Sequence, residues 1–306
     1  IYVTSRMDYL SAHINNHACA LCVEKGLQVE IPRRAQVIRV IMDELTRIAS
    51  HELWWGAIAM DLGAFTPFFH AFREREVIND IMEETCGARL TMNYMVPGGV
   101  MYDLHPNFQK RVKEFIIQYK KKIDEYDQLI TGNVIFQNRM KGVGVLSKED
   151  AVSFGCTGPV ARGSGVACDI RKIAPYDVYA DVQFDEALET AGDSFARYLV
   201  RMKEMQQSIR IVEQLIENIP EGDFQAKTKN VLKLPKGEFY SRVETARGEL
   251  GVYIISEGGL TPYRIKFRSP GFSNLSALDH MIRGGKIGDL IAAMGTLDLV
   301  IPDIDR

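Results

Sequence analysis

"RRAQVIRVIMDELTRIASHELWWGAIAMDL", Arg33–Leu62, decides the fold. Val37, Ile38, Ile41, Leu45, Ile48, Ala49 and Leu53 recur at the spacing of one helix face. Pro32 suits the opening turn, where a missing backbone N–H does no harm. The stretch predicts one long helix, interrupted only at "LGAFTP". Working outward, Met7 to about Leu27 is helical in pattern, and so is Phe68 to about Cys86. "VPGGVMYDLHP", Val96–Pro106, reads as loop, and Asn107–Thr131 as a long amphipathic helix whose Lys120–Lys122 run faces solvent. Ser147 and the acids after it signal a capped short helix. Cys156–Lys172 reads as Gly-rich loop, and Asp193 to about Glu217 as another long helix.

The texture changes after that. Glu238–Phe272 alternates, is rich in β-branched and aromatic residues, and carries Gly-Gly and Pro punctuation. At least two antiparallel strands, "GELGVYIIS" and "YRIKFR", are read there as a hairpin. A last helix is expected at Lys286–Met294. The fold class is therefore mainly α with a small antiparallel β element, an α+β long-helix bundle. It is read as one domain over 1–306: a bundle at about 7–218, a β region at about 238–270, and a C-terminal helix and tail at 271–306.

The 306 residues are 46% hydrophobic and 25% charged, an ordinary globular balance. A net charge of −3 supplies no basic footprint for nucleic acid. No apolar run reaches the ~20 residues that span a bilayer. Five scattered Cys do not make a disulfide framework.

"HINNHACALC", His13–Cys22, has the composition of a metal site. A helix turns about 100° per residue, which puts the two His on one face and the two Cys on roughly the opposite one. One ion does not reach all four, so no metal is expected there. Phosphate-loop and G-x-S-x-G signatures are missing. Asp61 stands in an apolar run at the end of the long helix, where burial is expected to demand a partner or a proton. His51 is offset from it by about 80° on an ideal helix, so direct pairing is not indicated. The residues alone leave open whether Asp61 does chemistry or caps a neighbouring helix.

"SRMDYLS", "PRRAQVIRVIMDELTRIASH", "DLGAFTPFFHAFREREVI", "GARLTMNYMVPGGV", "RGSGVACDIRKIAPYDVY", "ARGELGVYIISEGGLTPYRIKFRSPGF" and the closing "DIDR" carry a resemblance in order along the chain. Together they resemble the D subunit of NADH:quinone oxidoreductase, the 49-kilodalton subunit family of respiratory complex I. That family is in turn similar to the large subunit of nickel–iron hydrogenases, whose metals sit on two C-x-x-C pairs. Here Asp8 and Ser11 stand at the first pair of positions, and Val300 and Asp303 at the second. The loss of all four thiolates argues against nickel, since soft sulfur is what holds it.

The resemblance implies a quinone cavity where those metals would sit, formed with a small iron–sulfur (B-type) subunit that carries the terminal cluster. A C-type subunit and a membrane-embedded quinone-channel subunit are the other implied partners. The expected setting is peripheral, on the cytoplasmic face of a bacterial inner membrane, with quinone reduction coupled to proton translocation. By the same resemblance Tyr9 hydrogen-bonds the quinone headgroup and Asp61 pairs with a His from an N-terminal loop of the family. That loop, with a small sheet, is expected to lie outside this sequence. Met60 and Val300 are expected on the cavity wall. The chain itself is expected to bind no cofactor or metal, with quinone as substrate and the iron–sulfur cluster on its partner. Many members carry a His two positions after "GAR" that contacts the cluster; Thr91 stands there instead and cannot titrate. Two other readings compete: a hydrogenase-like catalytic subunit, and a structural docking subunit with no substrate site.

Overall fold

The computed structural model describes residues 2–228 and 231–305. A 3-10 turn at Thr4–Arg6 leads into α1, Ala12–Leu27. The helix starts five residues later than its pattern suggests, because Asp8 organises a turn: its carboxylate accepts from the Leu10 N–H at 3.1 Å and its carbonyl from Ser11 at 3.0 Å. Short acceptors of this kind compete with the helical ladder. The long helix α2 spans Arg33–Asp61 with Pro32 at its cap, and α3 spans Thr66–Cys86.

The segment read as loop holds a minimal hairpin, β1 Met95–Val96 and β2 Gly99–Val100. Two-residue strands are too short to show alternation in sequence. Next come α4, Phe108–Tyr126, ending in a π-type turn at Asp127–Thr131, and the short helices α5, Val134–Met140, and α6, Lys148–Ser153. Ser147 caps α6 by accepting from the Asp150 N–H, as expected. Lys120 is exposed on α4 and pairs with Glu213 at 2.5 Å.

The Gly-rich stretch is not loop throughout. It forms α7, Gly158–Gly163, which is buried throughout, and α8, Ile170–Ile173, of which Ile170 and Arg171 are buried. Pro159 sits in the first turn of α7, and the Asp169 carboxylate accepts from the Arg171 N–H to start α8. Helices this short lack a readable period, so local caps decide them. The long helix α9 runs Ser194–Ile216 with Asp193 as cap.

The β region has three strands. β3, Gly237–Thr245, pairs antiparallel with β4, Gly248–Ser256, which pairs with β5, Arg264–Arg268. The C-terminal part folds as α10, Pro270–Ser276; α11, Leu278–Ile282; α12, Ile287–Leu297; and α13, Ile301–Ile304. The fold is thus mainly helical with a small antiparallel sheet, as predicted.

α2 is the axis. It packs against α1, α3, α9 and α12, while one face of the sheet closes over α1. The main core joins Ile38, Ile41, Leu45 and Trp55 of α2 to Ile78, Tyr119, Tyr198 and Ile209 around it. A second core cluster, with Val243, Leu250 and Val252, seats the sheet on Ile14 and Ala18 of α1. α12 approaches α2 closely enough that Trp54 donates to the Gly295 carbonyl at 2.7 Å. Among the described residues no helix is long and apolar enough to cross a membrane.

Candidate functional site

Three chain segments far apart in sequence meet at Arg247, on the tight turn between β3 and β4. The turn needs glycine on both sides of a close backbone approach. Gly158 has φ +67, and a Cβ there would lie 2.4 Å from the Arg247 carbonyl oxygen; Gly248 has φ +134 and faces Gly158 in the same way. The buried guanidinium of Arg247 donates to Asp8 at 2.6 Å, to the Asp298 carboxylate at 3.0 Å, to the Asp298 carbonyl at 2.8 Å and to Ser50 of α2 at 3.2 Å. Asp298, Asp8 and Asp303 together hold the Arg247 guanidinium above its usual range despite burial. Asp303 is pushed up by its own burial and by Asp8, and it accepts from the Gly271 N–H at 3.0 Å.

The four positions read as replacements of hydrogenase thiolates therefore come from two ends of the chain to one place. Asp8 and Asp303 both act on Arg247. Ser11 is buried one turn after Asp8, with no hydrogen-bond partner for its hydroxyl among the described residues. Val300 is buried and its carbonyl starts the turn that carries Asp303. No group of three or more His, Cys, Asp or Glu side chains among the described residues is arranged to hold a metal ion.

Tyr9, next to Asp8, is 40% exposed. It lines a narrow cleft with Leu10, Thr46, Asn79, Met82, Arg89 and Met92. Asp61, Met60 and Val300 are not among the residues that line it. Asp61 departs from expectation: it is exposed, and makes no ion pair or side-chain hydrogen bond within the described chain. The apolar run around it reflects the packing of Trp54, Trp55, Ile58 and Ala59 one and two turns earlier. The last turn of α2 emerges beyond that packing, about 16 Å along the helix from Ser50. Met60 is 36% exposed beside it. The structure thus joins the segments of Tyr9 and Val300 through Arg247 and leaves Met60 and Asp61 on a separate, outward-facing helix end.

Sequence reasoning missed a stripe of buried polar groups along α2. Arg39, Asp43, Arg47 and His51 follow at four-residue intervals, and all are fully buried. Arg39 binds Glu24 at 2.5 Å. His17 stands 2.7 Å from Asp43 and 2.9 Å from Asp177. Burial opposes its charge, but the two carboxylates raise it to about 9. Next to it on α1, His13 is driven down to about 3 by burial and by His17, and it shares a hydrogen bond of 3.0 Å with Thr46. Glu44 receives Arg171, Tyr179 and Ser208. The readable signal was a charge every four residues on a helix whose other faces are also apolar, which leaves no face for solvent. As expected from helical geometry, Cys22 points elsewhere than the two His, donating weakly to strand carbonyls at 3.5 Å.

Comparison with known proteins settles the kinship. The profile described as "Respiratory-chain NADH dehydrogenase, 49 Kd subunit" matches residues 61–306. The chain belongs to that family. It is 57% identical over 304 residues to the C/D-type NADH-quinone oxidoreductase subunit of Bacteroides thetaiotaomicron, covering 99% of this chain and 57% of that protein. It is 48% identical to a D-type NADH-quinone oxidoreductase subunit of Solibacter usitatus, covering 98% of this chain and 81% of that protein. With the D-type subunit of Bacillus mycoides the identity is 46%, covering 99% of this chain and 83% of that protein. The chain thus spans little more than half the length of the C/D relatives it matches.

Within this 49-kDa family chain, Thr91 holds a strained backbone, with φ +50. A β-branched residue in the left-handed region is disfavoured by about 1–2 kcal/mol. Thr91→Asn, a residue that tolerates this region, is expected to raise stability by about 1 kcal/mol. A thermal melt that is unchanged or lowered would show that the side chain, rather than the backbone, sets the energy here.

Proposed function

We propose that this chain forms, with a small iron–sulfur subunit, the quinone-reduction site of a proton-translocating NADH–quinone oxidoreductase. The observation that carries the reading is the meeting of the Asp8–Ser11 and Asp298–Asp303 segments at Arg247, with Tyr9 exposed at its edge and no thiolate present. The site is lined with hydrogen-bonding groups in place of soft ligands. The Tyr9 phenol donates a hydrogen bond, and then a proton, to a quinone oxygen. Val300 supplies apolar wall. Electrons arrive from the partner's cluster, so this chain binds no cofactor of its own. Asp61 and Met60 stand exposed at the outward-facing end of α2, apart from the Arg247 group, and the family resemblance assigns Asp61 there to a His of the family's N-terminal loop.

Exposed apolar side chains support a subunit of a larger assembly. On α12, Ile287, Ile291 and Met294 recur at helical spacing and face outward, and α12 packs on α2 and α5. Phe65 and Phe69 stand exposed at the α2–α3 turn. Clustered exposed apolar side chains of this kind fit interfaces. A membrane-embedded quinone-channel subunit fits the α12 face, and the name of the C/D relatives favours a C-type partner. The chain then sits peripherally on the cytoplasmic face of the membrane.

A photoreactive short-chain quinone tests the reading in the assembled complex. Labelling is expected within residues 8–11 and 298–303, and is expected to be displaced by excess unmodified quinone. Labelling confined to other subunits, or to residues distant from Arg247, overturns it.

A further inference from the structure

Behind the Asp8–Arg247–Asp298 group lies a second buried set that the reading above leaves unused. His51 follows Ser50 on α2 and is fully buried. Its Nε2 lies 2.8 Å from a Glu204 carboxylate oxygen, while its Nδ1 has no hydrogen-bond partner among the described residues. The other Glu204 oxygen accepts from Arg162 Nε at 3.1 Å, and Arg162 reaches Glu244 at 2.8 Å. Glu204 is thereby fixed as the acceptor that orients the imidazole. A carboxylate on one ring nitrogen with the other nitrogen bare is the arrangement that passes protons. The carboxylate sets the tautomer and stabilises the imidazolium, and the free nitrogen takes and gives the proton.

Arg201 of α9 completes the set. It is fully buried, with its guanidinium 4.4 Å above the Trp54 ring, and spends one N–H on the Arg197 carbonyl. Its Nε and Nη2 have no partner among the described residues, and neither has Oδ2 of Asp298. Burial, helped by Arg247 and Arg162, pushes Arg201 down to about 10 against the pull of Asp298 and Glu204. His51 is within the field of Arg201 as well. Arg201 thus has idle donors; Asp298, whose charge it feels, and His51, which feels its charge, have idle acceptors. Buried polar groups in this condition are met by ordered water, which makes about three hydrogen bonds per molecule.

We propose, resting on the quinone-site reading, that His51 and Glu204 form a proton-relay dyad for that site, exchanging protons with the Asp8–Arg247–Asp298 group through water held by Arg201. Quinone takes two electrons from the partner's iron–sulfur cluster and two protons. Tyr9 gives up one proton and is left as phenolate. His51 takes a solvent-derived proton on Nδ1, and the imidazolium releases it through the bound water, so that the phenolate regains it and can give the second; a second proton passed the same way restores the Tyr9 phenol. His51 returns to the neutral form, with Nε2–H still donated to Glu204.

The charged groups facing His51 define its resting state. Burial lowers its proton affinity first; Arg201 of α9 and Arg47 of its own helix lower it further, and Glu204 raises it. Glu204 is itself held far below the usual carboxylate range, against burial, by Arg162 of α7, by His51 and by Arg171 of α8. The balance leaves His51 neutral at neutral pH, with Nδ1 free to accept.

The test uses the assembled complex carrying His51→Gln, whose amide still donates to Glu204 but does not take up a proton. Quinone-reductase turnover is expected to fall about tenfold. NADH oxidation by a soluble artificial acceptor is expected to be unchanged, and turnover is expected to lose the acid-side pH dependence that His51, shifted below the ordinary imidazole range by burial, contributes. A purely structural role changes rate or stability without removing that dependence. Wild-type turnover with a wild-type pH profile overturns the relay. Should this variant fail to assemble, Arg201→Lys keeps the buried charge and removes the fork of donors; a several-fold loss supports the relay and unchanged turnover overturns it. A Tyr9→Phe complex run in parallel separates the two ideas. Loss there with normal His51→Gln turnover removes the dyad alone, whereas normal Tyr9→Phe turnover removes the quinone reading and the dyad with it.

Discussion

Tyr9→Phe is expected to slow quinone reduction by about a hundredfold in the assembled complex, within the range for a positioned general acid. The hydroxyl makes no hydrogen bond within the described chain, and the ring is 40% exposed. Deleting one oxygen therefore leaves the Asp8 turn, the Arg247 ion group and the fold as they are. The loss falls on the chemistry, so it appears in turnover with quinone and not in electron entry from NADH to a soluble acceptor. Reduction of the partner's cluster is expected to proceed normally and then stall. A variant that keeps more than half of its turnover with quinone would remove Tyr9 from the reaction.

Arg247→Leu is expected to destabilise this subunit by about 3–5 kcal/mol, the usual consequence of removing one member of a buried ion group. Two carboxylates are stranded at once. Asp8 and Asp298 lose their guanidinium partner, and the Asp298 carbonyl and Ser50 lose its donors. The segments it ties lie near the two ends of the described chain. Asp303, already raised by burial and Asp8, loses the cation that opposes that rise. Protease cleavage of this subunit within the complex is expected to accelerate first at the N-terminal turn and the α12–α13 region. Arg247→Lys, which keeps the charge without the fork, is expected to lose less than half as much. Equal resistance of the wild type and Arg247→Leu to thermolysin would show that the two segments are held by packing instead.

The helices of the bundle were legible because burial is periodic. α2 begins where Pro32 and the apolar spacing place it, and ends within one residue of the predicted Leu62. α9 likewise falls within a residue of prediction, with Asp193 as its cap. The sheet was legible from alternation, although β3 joined the two expected strands as a third. The short elements were not, since α7 is set by its first-turn Pro159 and α8 by the Asp169 cap, with packing against α9 and β3, and helices of four to six residues show no period. The burial expected of Asp61 fails because hydrophobic neighbours in sequence do not establish burial at a helix end. The exposed Phe65 and Phe69 just beyond it belong to surface, and their apolarity fits contact with another chain.

By itself, the sequence determined the class of fold, the family, and the loss of every thiolate that a nickel site needs. Those depend on residue identity and on local spacing, and both are written along the chain. Only the tertiary structure decided that Asp8 and Asp298, 290 positions apart in the numbering, share one guanidinium. It alone decided that Arg39, Asp43, Arg47 and His51 lie inside the molecule. A charged residue reads as solvent-facing until its partners are known. Here the partners come from α1, from α9, from the sheet and from the loop around Asp177, and only folding brings them close enough to replace water.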